Sequence, residues 1–358
     1  MDVNDFDYEL PDALIAQTPL QQRTASKMLT MNKKTGQLSH QLFEDLIHHL
    51  EPGDLLIGND SRVIPARLIG SKKDTKAKVE ILLLHQVSHD CWEALVRPAK
   101  RLKVGSIIEF GMLNEHSLPM LSAVILEEKA MGLRVLKFDY TGIFLEILEL
   151  LGTMPLPPYI RERLTDQERY QTVFSKHPGS VAAPTAGLHF NEAYLDLLRN
   201  KGIQIAFVTL HVGLGTFRPV SVERIEDHDM HAEYYEVSAE VIHLIQSTRA
   251  MGKRVIAIGT TAARTLETIA FEIKGDKDNS VSDPLNSQNI HGWTRIFIYP
   301  GYQFQVVDAI ITNFHLPRST LLMMLSALAG REHLLDAYQE AVSHNYRFFS
   351  FGDAMFIY

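Results

Sequence analysis

The stretch "KRVIAIGTTAARTLETIAFEI" (residues 253–273) joins two patterns across one turn. Its first half is a short continuous apolar run, as expected of a strand buried on both faces. Gly259 interrupts it. From Thr260 onward the pattern predicts a helix over 260–273, with Thr260 as its N-cap. A buried strand feeding a helix through small residues is the building unit of an α/β domain. The same alternation recurs on either side. "DLLIGND" (54–60) is a strand entering a polar turn, and "NEAYLDLLRNKG" (191–202) is a helix with Asn191 as N-cap and Gly202 past its end. "IQIAFVTLHV" (203–212) is a strand, a helix follows near 239–251, and "RIFIY" (295–299) and "VVDAIITNF" (306–314) are two more strands. "RSTLLMMLSALAG" (318–330) is a helix closed by Gly330, and the polar run 274–289 is a surface loop.

Residues 62 to about 142 have another texture. "RVIPARLIG", "KVEILLLHQ", "CWEALVRP", "SIIEFG", "LPMLSAVILEE" and "GLRVLKFDY" are short strand-like runs separated by turn residues such as Gly70, Pro98, Gly105, Gly111 and Gly132. Six short strands with little helix predict a small antiparallel barrel. The expected fold is therefore two-domain α/β. An α/β sheet domain spans 1–61 and 150–358, and a small antiparallel β-barrel domain is inserted at 62–149. At 358 residues, two cores are also what length suggests.

Composition narrows the class. Hydrophobic residues make up 46% and charged residues 22%, an ordinary globular balance. No apolar run approaches 18 residues, so no membrane partner is expected, and the acidic start "MDVNDFDYEL" lacks a signal peptide's pattern. The single cysteine, Cys91, excludes an internal disulfide and any multi-cysteine metal site, and places the chain in a reducing cytoplasm. Net charge is −8, yet residues 62–150 hold 13 Lys and Arg against 11 Asp and Glu. "SKKDTKAK" (71–78) and "RPAKRLK" (97–103) are either solvated surface or a phosphate-contacting patch.

The unusual residues fall after strand ends. "NDSR" (59–62), "APTAGLHF" (183–190), "LHVGLGTF" (210–217), "GTT" (259–261), "YPGY" (299–302) and "NFHLPRST" (313–320) each follow a proposed strand. Ligands of open α/β sheets bind outside the carboxyl ends of the strands, so these turns would enclose one pocket. Gly187, Gly213 and Gly215 serve either tight turns or close backbone approach to a ligand. "GTT" ahead of a helix offers either a cap or an anion site. His189, His211 and His315 are either satisfied structural histidines or proton-transfer and binding groups. "EDHDMHAEYY" (226–235) invites a metal through His228, Asp229, His231 and Glu233, but it lacks the paired histidines of helical zinc motifs, and no metal is expected. No Walker loop, "GxGxxG" or "GxSxG" occurs.

Taken in order, "FDYELPDALIAQTPLQQR", "NDSRVIPARL", "WEALVRPAKRLKVG", "GTMPLPPYI", "ERYQTVF", "GSVAAPTAGLHF", "VTLHVGLGTFRPV", "DHDMHAEYY", "IAIGTTAARTLE", "YPGYQF", "ITNFHLPRSTLLMMLSALAG" and "YRFFSFGDAMFI" resemble the S-adenosylmethionine:tRNA ribosyltransferase-isomerase family. The resemblance runs from about residue 6 to 357. Ser61 stands where the family usually has Thr, Lys27 and Met28 lie in an early "SRLL"-like motif, and Arg318 replaces a more usual Lys. The resemblance implies transfer of the ribosyl part of S-adenosylmethionine to 7-aminomethyl-7-deazaguanine at the tRNA wobble position. The ribose is isomerised, epoxyqueuosine forms, and adenine and methionine leave. S-adenosylmethionine is then a consumed substrate rather than a cofactor, and the family fold is likewise an α/β domain with an inserted barrel.

That chemistry needs a general base, a general acid, a methionine pocket and a clamp for the anticodon. His189 and His211 are the acid–base candidates, with Thr185, Gly187, Gly213 and Gly215 shaping the pocket. Asn59, Asp60, Arg62, Asn313 and His315 are candidate substrate contacts, and Thr260 and Thr261 candidate holders of the methionine carboxylate. Arg97, Lys100, Arg101 and Lys103 are the tRNA-backbone candidates. A monomer is expected. Two rivals stand beside this reading: a non-catalytic RNA-binding protein with the barrel as reader, and a methyltransferase that would release no adenine.

Overall fold

A computed structural model describes residues 1–113, 118–162, 164–213, 220, 222–270 and 289–358. In chain order the first strands are β1 (Lys27–Met31), β2 (Leu38–Leu42), β3 (Leu55–Asn59) and β4 (Ser61–Val63). Then come β5 (Arg67–Lys72), β6 (Lys78–Ser88), β7 (Cys91–Arg97), β8 (Ile107–Leu113), β9 (Leu118–Glu128), β10 (Leu133–Tyr140), helix α1 (Phe144–Leu151) and β11 (Gly152–Thr153). The chain continues with β12 (His177–Ser180), α2 (Glu192–Asn200), β13 (Gln204–Leu210), β14 (Glu233–Val237), α3 (Ala239–Ala250), β15 (Val255–Ile258) and α4 (Thr260–Thr268). It ends with β16 (Ile290–Thr294), β17 (Ala309–Asn313), α5 (Thr320–Ala329), α6 (Arg331–Ser343) and β18 (Ala354–Ile357).

Two compact units result. The first comprises Met1–Ser61, Pro158–His177 and Pro184–Tyr358, the second Arg62–Pro157 and Pro178–Ala183. The boundary expected at 149/150 falls inside α1, whose Ile147 and Leu148 are buried. An apolar helix next to strands carries no sequence punctuation, so nothing in the local pattern marks where α1 belongs.

The second unit is a closed barrel. β5, β6, β7, β10, β9 and β8 pair antiparallel in that order, and β8 returns to β5 through Ser71↔Glu109 and Lys72↔Ile108. Period-two burial drives it: Val79, Ile81 and Leu83 face in from β6, and Trp92, Ala94 and Val96 from β7. Gly70 sits at the closing seam. A Cβ there would lie 2.5 Å from the Phe110 ring and 2.6 Å from Glu109 O, so a side chain would prise the seam apart.

The first unit is built on a nine-stranded sheet in the order β16-β14-β13-β3-β15-β17-β18-β1-β2. β13, β3, β15 and β17 run parallel, and their carboxyl ends share one edge. Being covered on both faces, β3, β15 and β17 are buried at every residue, as the continuous apolar run of β15 led us to expect for that strand. One side of the core brings Leu56, Ile258 and Ile311 against Phe43, Phe190, Tyr194 and Leu198.

Local corrections have plain causes. Helix α4 is capped by Gly259 at φ +89°, a conformation that suits glycine, so Thr260 is the first helical residue rather than the cap. The helix ends at Thr268, and 271–273 lie outside the described residues. The strand expected at 295–299 is instead Ile290–Thr294, which pairs with β14. No helix among the described residues is long and apolar enough to cross a membrane.

Candidate active site

At the carboxyl end of β3, Asn59 is only 1% exposed and serves the backbone. Its Nδ2 donates to Leu210 O at 2.9 Å, while its Oδ1 accepts from Leu210 N at 3.0 Å and Ser61 N at 3.1 Å. Asp60 follows. Thr209 Oγ1 donates to its Oδ1 at 2.7 Å, and His177 Nε2 lies 3.6 Å from its Oδ2. Burial raises the Asp60 carboxyl above its ordinary range, against the Thr209 hydrogen bond and the nearby His177.

A single-turn 3-10 helix, Thr185–His189, packs against the end of β17. Within it Gly187 answers to packing. A Cβ there would meet Phe174 and Thr172 at 2.7 Å, and its φ is not positive. Three expected site residues meet here. Thr185 Oγ1 donates to Asn313 Oδ1 at 2.9 Å, and Asn313 Nδ2 donates to His189 Nε2 at 3.0 Å. The main-chain oxygen of Asp353, 3.5 Å from Asn313 Nδ2, fixes which way that amide faces. His189 Nε2 is then an acceptor, its proton is on Nδ1, and Nδ1–H donates to Ser26 Oγ at 2.7 Å. The ring stacks on Phe43 with centroids 5.0 Å apart. Burial, then the charges of Arg23 and Arg347, push its pKa down to about 3. His189 is thus neutral, with both nitrogens occupied.

His211, at the end of β13, is different. It is only half-buried, its main-chain N–H donates to Tyr234 O at 2.9 Å, and its ring lies nearly parallel to that of Tyr234. Its Nδ1 is buried without a hydrogen-bond partner among the described residues. Burial, then the neighbouring His177, lower its pKa. This is a neutral imidazole with proton-accepting capacity in hand.

A third cluster lies under the first turn of α4. Met230, Ile296, Phe297, Leu321 and Met324 line a mostly apolar cavity together with the polar Thr260, Thr261, Glu233 and Arg264. In its wall the guanidinium of Arg264 donates to the buried Glu233 carboxylate. Glu233 Oε1 also accepts from Gly213 N at 3.1 Å, which ties the turn after β13 to α4. Burial favours a neutral Glu233, but the His231 contact, then the Arg264 charge and the Gly213 amide, outweigh it and hold the carboxyl below its usual range. The metal-like "EDHDMHAEYY" therefore contributes Glu233 to an ion pair.

These elements match known proteins over their whole length. A family model described as "Queuosine biosynthesis protein" matches residues 3–357. The chain belongs to the queuosine biosynthesis protein family. A relative from Macrococcus caseolyticus (strain JCSC5402), 55% identical over 359 residues and covering 100% of both chains, is named "S-adenosylmethionine:tRNA ribosyltransferase-isomerase". A solved structure, the S-adenosylmethionine tRNA ribosyltransferase of Thermotoga maritima, is 38% identical, with a TM-score of 0.54 over 99% of this chain and 100% of that one.

Within this queuosine-family chain, other expected site residues are dispersed. His315 turns inward: its Nε2 meets Thr312 Oγ1 at 2.7 Å, its main-chain oxygen accepts from Tyr8 OH, and burial pushes its pKa down to about 3. A Cβ at Gly213 would meet no atom of the described residues within 4 Å, and Gly215 lies outside the described residues. Arg62 belongs to the barrel unit. There too, Arg97, Lys100 and Arg101 are exposed, while Lys103 Nζ donates to Glu128 at 3.1 Å. Sequence reasoning missed Ser26, Arg23 and Arg264. Only Arg264 left a trace, as a charge in a helix of mostly small residues that, like Glu267 beside it, had to find a buried partner. Ser26 lies 163 residues from His189 and left none.

Proposed function

We infer that the chain transfers and isomerises the ribosyl moiety of S-adenosylmethionine onto 7-aminomethyl-7-deazaguanine at the tRNA wobble position. The products are epoxyqueuosine in tRNA, adenine and methionine. The full-length relationship to the 55% identical ribosyltransferase-isomerase carries this reading. S-adenosylmethionine is consumed as a substrate, no separate cofactor takes part, and the protein works as a cytoplasmic monomer.

The reaction needs a proton removed from the ribose carbon next to the sulfonium, whose positive charge acidifies it. Adenine takes up a proton as it departs, and the tRNA amine attacks the ribosyl carbon. His211 is our choice for proton transfer, because burial keeps its imidazole neutral and Nδ1 has no hydrogen-bond partner among the described residues. His189 is a positioning residue. Through Asn313 and Thr185 it holds the loop at the end of β17. Asn59, Asp60, Arg62 and His315 act as substrate contacts or their supports, with Gly187, Gly213 and Gly215 shaping the pocket. Thr260 and Thr261 present hydroxyls and first-turn amides to the methionine carboxylate. Arg97, Lys100 and Arg101, with Lys103, supply RNA-backbone contacts.

Incubation with S-adenosylmethionine and tRNA bearing the deazaguanine precursor should release adenine and raise the tRNA mass. Methyl transfer without adenine would replace this reading with a methyltransferase. Binding without any turnover would replace it with a non-catalytic reader.

A further inference from the structure

A cleft in the first unit lies beside His189 and is lined by Arg23, Arg169, Ser26, Ser350 and Phe351 among others. Among the described residues that line it, none is Asp or Glu. Both guanidiniums are held by main-chain oxygens. Arg23 donates to Leu188 O at 3.0 Å, Gln171 O at 3.0 Å and Glu168 O at 3.2 Å, and Arg169 donates to Gln21 O at 3.1 Å and Leu20 O at 2.5 Å. A guanidinium has five N–H donors, so each keeps some in reserve. Arg169 Nε is buried without a hydrogen-bond partner among the described residues. Burial, then the Arg169 charge, lower the Arg23 pKa, and the carboxylates acting on it, Asp166 and Glu168, stand in solvent. Two fixed cations, partly stripped of water and with no carboxylate among the described residues lining their cleft, are short of an anion.

We propose that this cleft binds one backbone phosphate of the RNA substrate between Arg23 and Arg169. The inference rests on the reading that RNA is the substrate. A phosphodiester is favoured over the methionine carboxylate because an amino acid brings an ammonium group, and the cleft offers it no carboxylate. Two planar forks suit the several oxygens of a phosphate. Ser26 and Ser350 add hydroxyls, and the Phe351 ring gives an adjoining sugar or base an apolar surface.

The test is the salt dependence of binding to an anticodon stem-loop RNA, beside the affinity for S-adenosylmethionine. R169Q should weaken RNA binding about tenfold at low salt and reduce the slope of log affinity against log salt by about one, because one phosphate contact is lost. R169K should restore the slope, and S-adenosylmethionine affinity should be unchanged in both. The same pair at Arg23 serves if the Arg169 variants do not fold. An unaltered slope in R169Q overturns the proposal, and so does a fall in S-adenosylmethionine affinity with the RNA slope intact, which would mark a carboxylate site. Binding needs no turnover. Adenine release with an unaltered slope therefore removes only the phosphate site, whereas loss of one slope unit without adenine release removes the ribosyl-transfer reading alone.

Discussion

The loop around His189 and the turn at His211 stand at the same sheet edge and carry the same residue type, yet they are built for different work. His189 has Ser26 on one nitrogen, Asn313 on the other and Phe43 against its face. His211 is half-buried, its Nδ1 has no hydrogen-bond partner among the described residues, and the Tyr234 ring lies alongside with His177 nearby. By location alone both would be proposed as site residues. The hydrogen-bond inventory is what leads us to propose His189 as the side chain that holds a loop and His211 as the one that moves a proton.

The largest effect that could break this contrast lies in catalysis. H211Q should lower kcat by about 10²–10⁴-fold, the usual range for losing a general acid or base, while RNA affinity stays within twofold of wild type. Wild-type turnover by H211Q would hand the proton step to another group. Next in size, H189A should destabilise the fold by about 2–4 kcal/mol, because it opens a cavity beside Phe43 and strands the Asn313 amide. Chemical denaturation measures this, and a change below about 0.5 kcal/mol would show that the loop does not depend on the ring.

The third test uses pH. Because folding lowers the His189 pKa from 6.5 to about 3, the fold binds fewer protons there than the unfolded chain. The resulting stability is whole above pH 6.5 and is lost as pH falls towards 3. H189Q should therefore flatten the decline in melting temperature across that window. It should leave the acid limb of the kcat profile in place, and that limb should respond to His211 instead. The smallest effect is that of S26A, about 1 kcal/mol for one hydrogen bond, with kcat per folded molecule unaltered.

How much of this was legible depends on whether local pattern or distant partners decide. The barrel strands were legible because inward Val79, Ile81 and Leu83 alternate with outward residues, and β15 because its apolar run breaks at Gly259. β1, β18 and α6 were not anticipated. "KMLTM" and "AMFI" are too short to declare a period, and their parallel pairing is a contact between chain ends, Met28↔Ala354 to Met31↔Ile357. The shifted β16 shows the same limit, since "RIFIY" has the better strand composition but β14 pairs with "IHGWT". At the site, Thr185, His189 and Asn313 could be placed at one edge from chain order alone. That Ser26 and Asn313 occupy both nitrogens of His189 follows from tertiary contacts, which no local pattern records.

The most direct measurement is single-turnover adenine release from S-adenosylmethionine and precursor tRNA by wild type, H189Q and H211Q at matched folded concentration. The account predicts release by wild type and H189Q within about tenfold of one another, and by H211Q slower by at least about a hundredfold. Equal rates for H211Q and wild type, or abolition by H189Q with its fold intact, would contradict it.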